Sequence, residues 1–296
     1  MRVEGTTPLW IAVRILLAER GEDFFRRRDK ALKTFDPEDI HDLRVSSRRL
    51  REGVALFAPC YSAGNIARLV RQMKQVTRLL GEIRNADEAI LFFDALAEEL
   101  GAGYSAELES ISASFKKGRK KELKRLRSGL KEIGEDALSD LFRRVIHSPL
   151  LFDRQEDDVD LLTPLAQFAG EAMKERLAAV LRLLPAARQA NEIETQHLLR
   201  IAVKHFRYRM EILHFLFGAH YEQLHEALKA YQDLLGKMHD LDVFAGIVQK
   251  AGLTYLTQKP LLDTITAKRG ELFVDFSAML ETAPFEKIGD RMRYML

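Results

Sequence analysis

A single cysteine, Cys60, stands in 296 residues, so no disulfide can close within the chain, and a reducing compartment suits it. Placed after Pro59, it reads as a structural thiol. Long apolar runs are also missing. The patch near the start, LWIAVRILLA, is interrupted by Arg14 and is not followed by a small-residue cleavage site. Neither a signal peptide nor a membrane span is expected, and a cytoplasmic location is. Charge of one sign is not in excess either: 46 Lys and Arg face 44 Asp and Glu, so an anionic partner has to be argued from where the cations sit. Clusters of β-branched residues bounded by turns are scarce, which argues against sheets. What is present is 47% apolar residues, enough for an ordinary core, set almost everywhere at helical spacing. The expected fold class is all-α.

One pattern occurs twice. HDLRVSSRRLREGVALF begins at His41 and HLLRIAVKHFRYRMEIL begins at His197, an offset of 197 minus 41, or 156. His41, Arg44, Arg48 and Arg51 therefore correspond to His197, Arg200, Lys204 and Arg207. At roughly 100° per residue each set spans an arc of about 80° on a helix. Beside the second set lies an apolar arc, Leu199, Val203, Phe206, Met210 and Leu213, matched in the first by Leu43, Ser47, Leu50, Val54 and Phe57. Such a helix buries one face and lays long cationic side chains along the edge of a groove. A basic run on one helix is usually no more than a solvated face. The same order of side chains on the same side of two apolar arcs is not required by solubility.

A second repeat, LLGEIRNAD at Leu79 and LLGKMHDLD at Leu234, has an offset of 155, which extends the duplication beyond one helix. The spacing predicts a first helix at about 8–33, followed by a helix capped by Asp36 with Pro37 at its first position. A third helix, carrying Arg71, Lys74 and Arg78 on one face, is expected to stop near Gly81. Asn85 and Glu88 read as a capping box opening a fourth, with Asp87 at its start, and Asp240 as the cap at the same place in the second half. Asp87 and Asp242 thus have a capping explanation. A long polar helix at about 104–131 holds the densest cationic run, with Lys116, Lys117, Arg119, Lys120, Lys121, Lys124, Arg125, Arg127 and Lys131. Of these, Lys117, Lys120, Lys121, Lys124 and Arg127 keep one side basic, whereas the matching region at 271–287 is not basic. After a helix to about 147, a linker is expected at about 148–160, dividing a first repeat (1–150) from a second (161–296). In the second, a helix ends near Pro185, Asn191 and Glu194 form a capping box, and helices follow at about 221–235, 241–250, 260–281 and 285–294.

These paired motifs resemble the CHAD family, the conserved-histidine α-helical domains. The resemblance implies two four-helix-type bundles related by pseudo-two-fold symmetry, with a basic groove between them that binds inorganic polyphosphate without catalysis. Carried over by position, the binding set is His41, Arg44, Arg48 and Arg51 with His197, Arg200, Lys204 and Arg207. Arg71, Lys74, Arg78, Lys117, Lys120, Lys121 and Lys124 join it from the basic helices. The sequence departs from the family pattern at His205, where another basic residue is common. The start, MRVEGTTPLW, lacks the alternating Glu and Lys of the triphosphate-tunnel enzymes to which such domains are often fused. Association with polyphosphate granules is a further expectation, and neither a cofactor nor a metal is expected.

Two other readings compete. His41-Asp42 and His239-Asp240 resemble the His-Asp pair of helical metal-dependent phosphohydrolases, which also need an upstream His and a downstream Asp. No His precedes His41, although His205, His214, His220 and His225 precede His239. A nucleic-acid-binding or general polyanion scaffold is the other. No helix-turn-helix signature is evident, nor aromatics interleaved with the basic stripes as stacking on single strands requires, and Phe206 and Tyr208 read as core or groove wall.

Overall fold

In the computed structural model the periodic segments form ten helices among the described residues: α1 (Leu9–Thr34), α2 (Pro37–Leu56), α3 (Ala63–Leu100), α4 (Ser105–Glu132), α5 (Glu135–Ile146), α6 (Leu165–Ala187), α7 (Ile193–Ile212), α8 (Tyr221–Lys250), α9 (Tyr255–Thr282) and α10 (Phe285–Arg293). The structure describes residues 2–101, 103–132, 135–150 and 159–293, without the side chains of 131, 132, 135, 136 and 293. Most of the expected linker, the Lys131 side chain and Tyr294 lie outside the described residues. Two compact units result, Met1–Val3 with Thr7–Thr163 and Glu4–Thr6 with Pro164–Leu296.

Within the first unit each helix packs on the next from α1 to α4, and α5 returns to α1 and α3. The second unit runs the same way from α6 to α9, with α10 returning to α6. Asp36 caps α2 as expected, its carboxylate accepting from the Glu38 N–H at 2.9 Å. The first turn of α1 finds its acceptors outside the helix: the N–H groups of Leu9 and Trp10 donate to the carbonyls of Thr163 and Leu161. Gly21 marks a close approach, since a Cβ there would stand 2.2 Å from the Phe142 ring of α5. Cys60 is fully buried, and burial pushes its thiol up to about 12, so it is inert packing. No described helix is long and apolar enough to cross a membrane.

Several local expectations are corrected. Neither α3 nor α8 breaks: α3 runs through Gly81 and Asn85, and α8 runs through Asp240. The apolar spacing never lapses there. Leu80, Ile83, Ala86, Ala89 and Phe93 are buried, and so are Leu235, Met238, Leu241, Phe244 and Val248, each 155 residues later. Burial of that continuous row outweighs the helix penalty of Gly81, about 1 kcal/mol. Asp87 and Asp242 are consequently mid-helix residues rather than caps. Helix α6 continues through Pro185 for one half-turn to Ala187, and α9 begins at Tyr255, before Pro260. The N-cap of α7 is Glu192, without a side-chain capping bond, so Asn191 and Glu194 form no capping box.

Candidate functional site

The duplicated stripe is clearest on α7. Leu199, Val203, Phe206, Met210 and Leu213 are all buried, each contributing roughly 1.5–3 kcal/mol of apolar burial, which fixes the rotation of the helix. His197, Arg200, Lys204 and Arg207 are thereby left half-exposed on one flank. That flank faces α8. The His197 and His239 rings lie 4.1 Å apart with their Nδ1 atoms at 2.9 Å, and Arg207 Nε donates to Gln232 Oε1 at 3.0 Å. Arg207 is also held by Glu211, at 2.6 Å, and its guanidinium lies over the Tyr208 ring at 4.9 Å. The Glu211 carboxylate, 8% exposed, accepts from His225 at 3.0 Å as well. Arg207 thus spends much of its charge on a buried acid.

Two imidazoles sharing one Nδ1 contact need one donor and one acceptor, so at least one is neutral. Burial, the Arg200 guanidinium and the neighbouring His197 push His239 down to about 4. His197 is lowered by burial and by Arg200, against a smaller opposing pull from Glu194. His239 is therefore neutral at pH 6 to 7, and His197 takes its proton only below the ordinary imidazole value. An unfolded chain protonates position 239 near the ordinary 6.5, the folded chain only near 4. Between those values the unfolded state holds more protons, and stability falls as pH drops through the window. Chemical unfolding at stepped pH should show this decline, and His239→Gln should flatten it; an unchanged slope would remove His239 as its source.

On α2 the rotation is set likewise: Leu43, Ser47, Leu50, Val54 and Phe57 are buried. Ser47, the polar exception, returns its hydroxyl to the Arg44 carbonyl at 2.8 Å. One flank belongs to α1, where Asp39 meets Lys30 at 2.7 Å and Asp42 meets Arg27. His41, Arg44, Arg48 and Arg51 lie on the other flank of the buried face, and α2's other large neighbour is α3. Where the second unit has His239, offset 155 places Arg84, which pairs with Glu88 on its own helix.

The repeated aspartates brace the next helix pair of each unit. Asp87 of α3 pairs with Arg119 of α4, and Asp242 of α8 with Arg269 of α9 at 2.5 Å. Arg269 also donates to Gln196 and to the Ala190 carbonyl. Gln196, 3% exposed, in turn donates to the carbonyls of Ala187, the last residue of α6, and of Gln189 beyond it. It immediately precedes His197, so this network holds the first turn of the stripe. Sequence reasoning missed Arg269 and Gln196, and weighed His239 only as a partner of Asp240. The available signal was an arginine following each repeated aspartate by a comparable interval, 119 minus 87 and 269 minus 242.

The remaining expected cations fall into different settings. Arg71, Lys74 and Arg78 are exposed on α3. Lys117, Lys120, Lys121 and Lys124 are exposed on α4, which packs on α3. Among the described residues none of these seven has an ion-pair partner. No three His, Cys, Asp or Glu side chains gather as a metal site would require, again among the described residues.

The sequence model of the CHAD domain matches residues 16–249, which leaves all of α9 and α10 outside the match. No curated protein matches the chain. Two solved structures are similar in fold. The crystal structure of the CHAD domain from the plant Ricinus communis is 21% identical with a TM-score of 0.61, covering 100% of this chain and 95% of that one. PptA from Streptomyces chartreusis is 16% identical with a TM-score of 0.66, covering 96% of this chain and 100% of that one.

Proposed function

The chain belongs to the CHAD domain family, and on that premise we propose that the basic stripes of α2 and α7 bind inorganic polyphosphate without turning it over. The observation that carries this reading is the repeated register: the same order of His, Arg, Arg or Lys, and Arg runs beside a buried arc in both units. On α7 the stripe stands against α8, where His197 meets His239 and Arg207 meets Gln232.

Polyphosphate is a flexible chain with about one negative charge per internal phosphate and no base edges. Charge density and groove shape are all a protein can recognise in it. Arginine meets two phosphoryl oxygens with its planar fork, and lysine supplies a mobile point charge. Neutral His197 and His239 offer ring N–H donors, and an anion laid beside them raises their proton affinity, so binding should be accompanied by proton uptake as pH falls.

Titration with polyphosphates of graded length tests the proposal. Affinity should rise with length and fall linearly in log–log form with salt, by about 0.7 of a log unit per phosphate contact if the chain behaves as single-stranded nucleic acid does. Duplex DNA at physiological salt should fail to displace long polyphosphate. Displacement by DNA, or affinity independent of length, would point to a general polyanion scaffold instead.

A further inference from the structure

We propose that the groove between α3 and α4 of the first unit is a second anion-binding site, which takes a further run of phosphoryl groups from a polyphosphate chain already held on α2. This rests on the polyphosphate reading and extends it. The groove encloses about 690 Å³ and is lined by Arg78, Lys121, Lys124 and Arg125 against Glu82 and Glu122. That volume falls within the range of small-ligand sites, roughly 300–1,000 Å³. Arg125 is engaged by Glu122 at 2.7 Å. Arg78, Lys121 and Lys124 have no ion-pair partner among the described residues, and only Glu82 opposes them. Gly129 sets the floor: a Cβ there would come within 2.5 Å of Leu79 Cδ1, so the helices approach closely at that level and the cations stand at the rim.

Comparison with the second unit shows that the fold does not need these cations. The pairs Asp87–Arg119 and Asp242–Arg269 align the units, with an offset of 155 for α3 on α8 and of 269 minus 119, or 150, for α4 on α9. At those offsets Arg78, Lys121, Lys124 and Arg125 become Asp233, Glu271, Val274 and Asp275, while Glu82 becomes Lys237. The polarity is inverted although the helices and their bracing pair remain. A side chain required for packing would not tolerate that reversal, so the positive groove of α3 and α4 has a separate use.

A route to it exists on the same helix. Arg71, Lys74 and Arg78 share an arc of about 60° on α3, opposite its buried row, so they cover the solvent side between the α2 flank and the α4 flank. Arg78 belongs to both the row and the groove. A chain too short to round α3 occupies the α2 stripe alone. A long one gains the groove as an intramolecular contact, at high effective concentration.

The test pairs two double variants on exposed positions of the first unit. Lys121→Ala with Lys124→Ala removes groove cations; Arg143→Ala with Arg144→Ala removes the same charge from α5, outside the groove and outside the expected binding set. The groove variant should bind long-chain polyphosphate about 10-fold more weakly, with a salt slope shallower by about 1.4, two contacts at about 0.7 each. Its affinity for tripolyphosphate should be unchanged, and the control variant should match the natural protein for both ligands. Equal losses in the two variants would reduce the groove to diffuse surface charge, and an unaltered long-chain affinity in the groove variant would end the proposal. Failure of the natural protein to bind long polyphosphate would instead overturn the reading of the α2 and α7 stripes, and this inference with it.

Discussion

Glutamate in place of Arg44, Arg48, Arg200 and Lys204 together is expected to abolish polyphosphate binding. A hydrogen bond to a charged group contributes about 1.5 kcal/mol at the low end, so four lost contacts amount to about 6 kcal/mol, on the order of 10⁴-fold in the dissociation constant. Repulsion of the polymer by the new carboxylates adds to that. Glutamine at the same positions separates the two effects: it removes the contacts without the repulsion and should give an intermediate loss. All four side chains lie beside, not within, the buried arcs of α2 and α7, so helicity should be retained and is checked by circular dichroism. A dissociation constant within about tenfold of the natural protein's would assign binding to other cations.

The second large effect concerns stability. Arg269 and Asp242 are 12% and 18% exposed, and removing one partner leaves the other charge poorly solvated. Arg269→Met should cost about 3 kcal/mol, the lower end for breaking a buried pair. For a unit of this size that lowers the melting temperature by about 6–12 °C. Asp242→Asn in the same background should restore part of the loss, because it removes the charge left behind, and a merely additive double variant would show that the two side chains are not coupled. The same substitution frees Gln196, and with it the first turn of α7. Polyphosphate affinity at a temperature where the variant is still folded should therefore fall more than in a variant of equal stability loss made far from α7.

Much of the architecture can be read along the chain because its helices are amphipathic and their signals are local. The Asp36-Pro37 start of α2, the buried arcs of α2 and α7 and the cationic flank beside each need only a period and a rotation. Where reading the sequence failed, two local signals disagreed. Asn85 with Glu88, and Asp240, resemble helix starts, and Gly81 resembles a helix end, while the apolar row through them continues at spacings of three and four. Tertiary burial decides such a conflict, since a row of leucines and phenylalanines outweighs one glycine or one cap. Likewise Asn191 does not cap α7, whose N-cap is Glu192, while Gln196 in its first turn donates to the carbonyls of Ala187 and Gln189.

Composition and periodicity determined an all-helical chain, its buried rows and the two stripes of matching charge. Only the folded structure decided which acids and histidines those stripes meet. Asp242 finds Arg269 across a helix pair, Glu211 finds both Arg207 and His225, and His197 finds His239 from 42 residues away. The physical reason is that helical periodicity specifies a direction around one axis. The pairing of one charged or hydrogen-bonding group with another depends on the rotation and height of two axes, which packing of the whole unit sets.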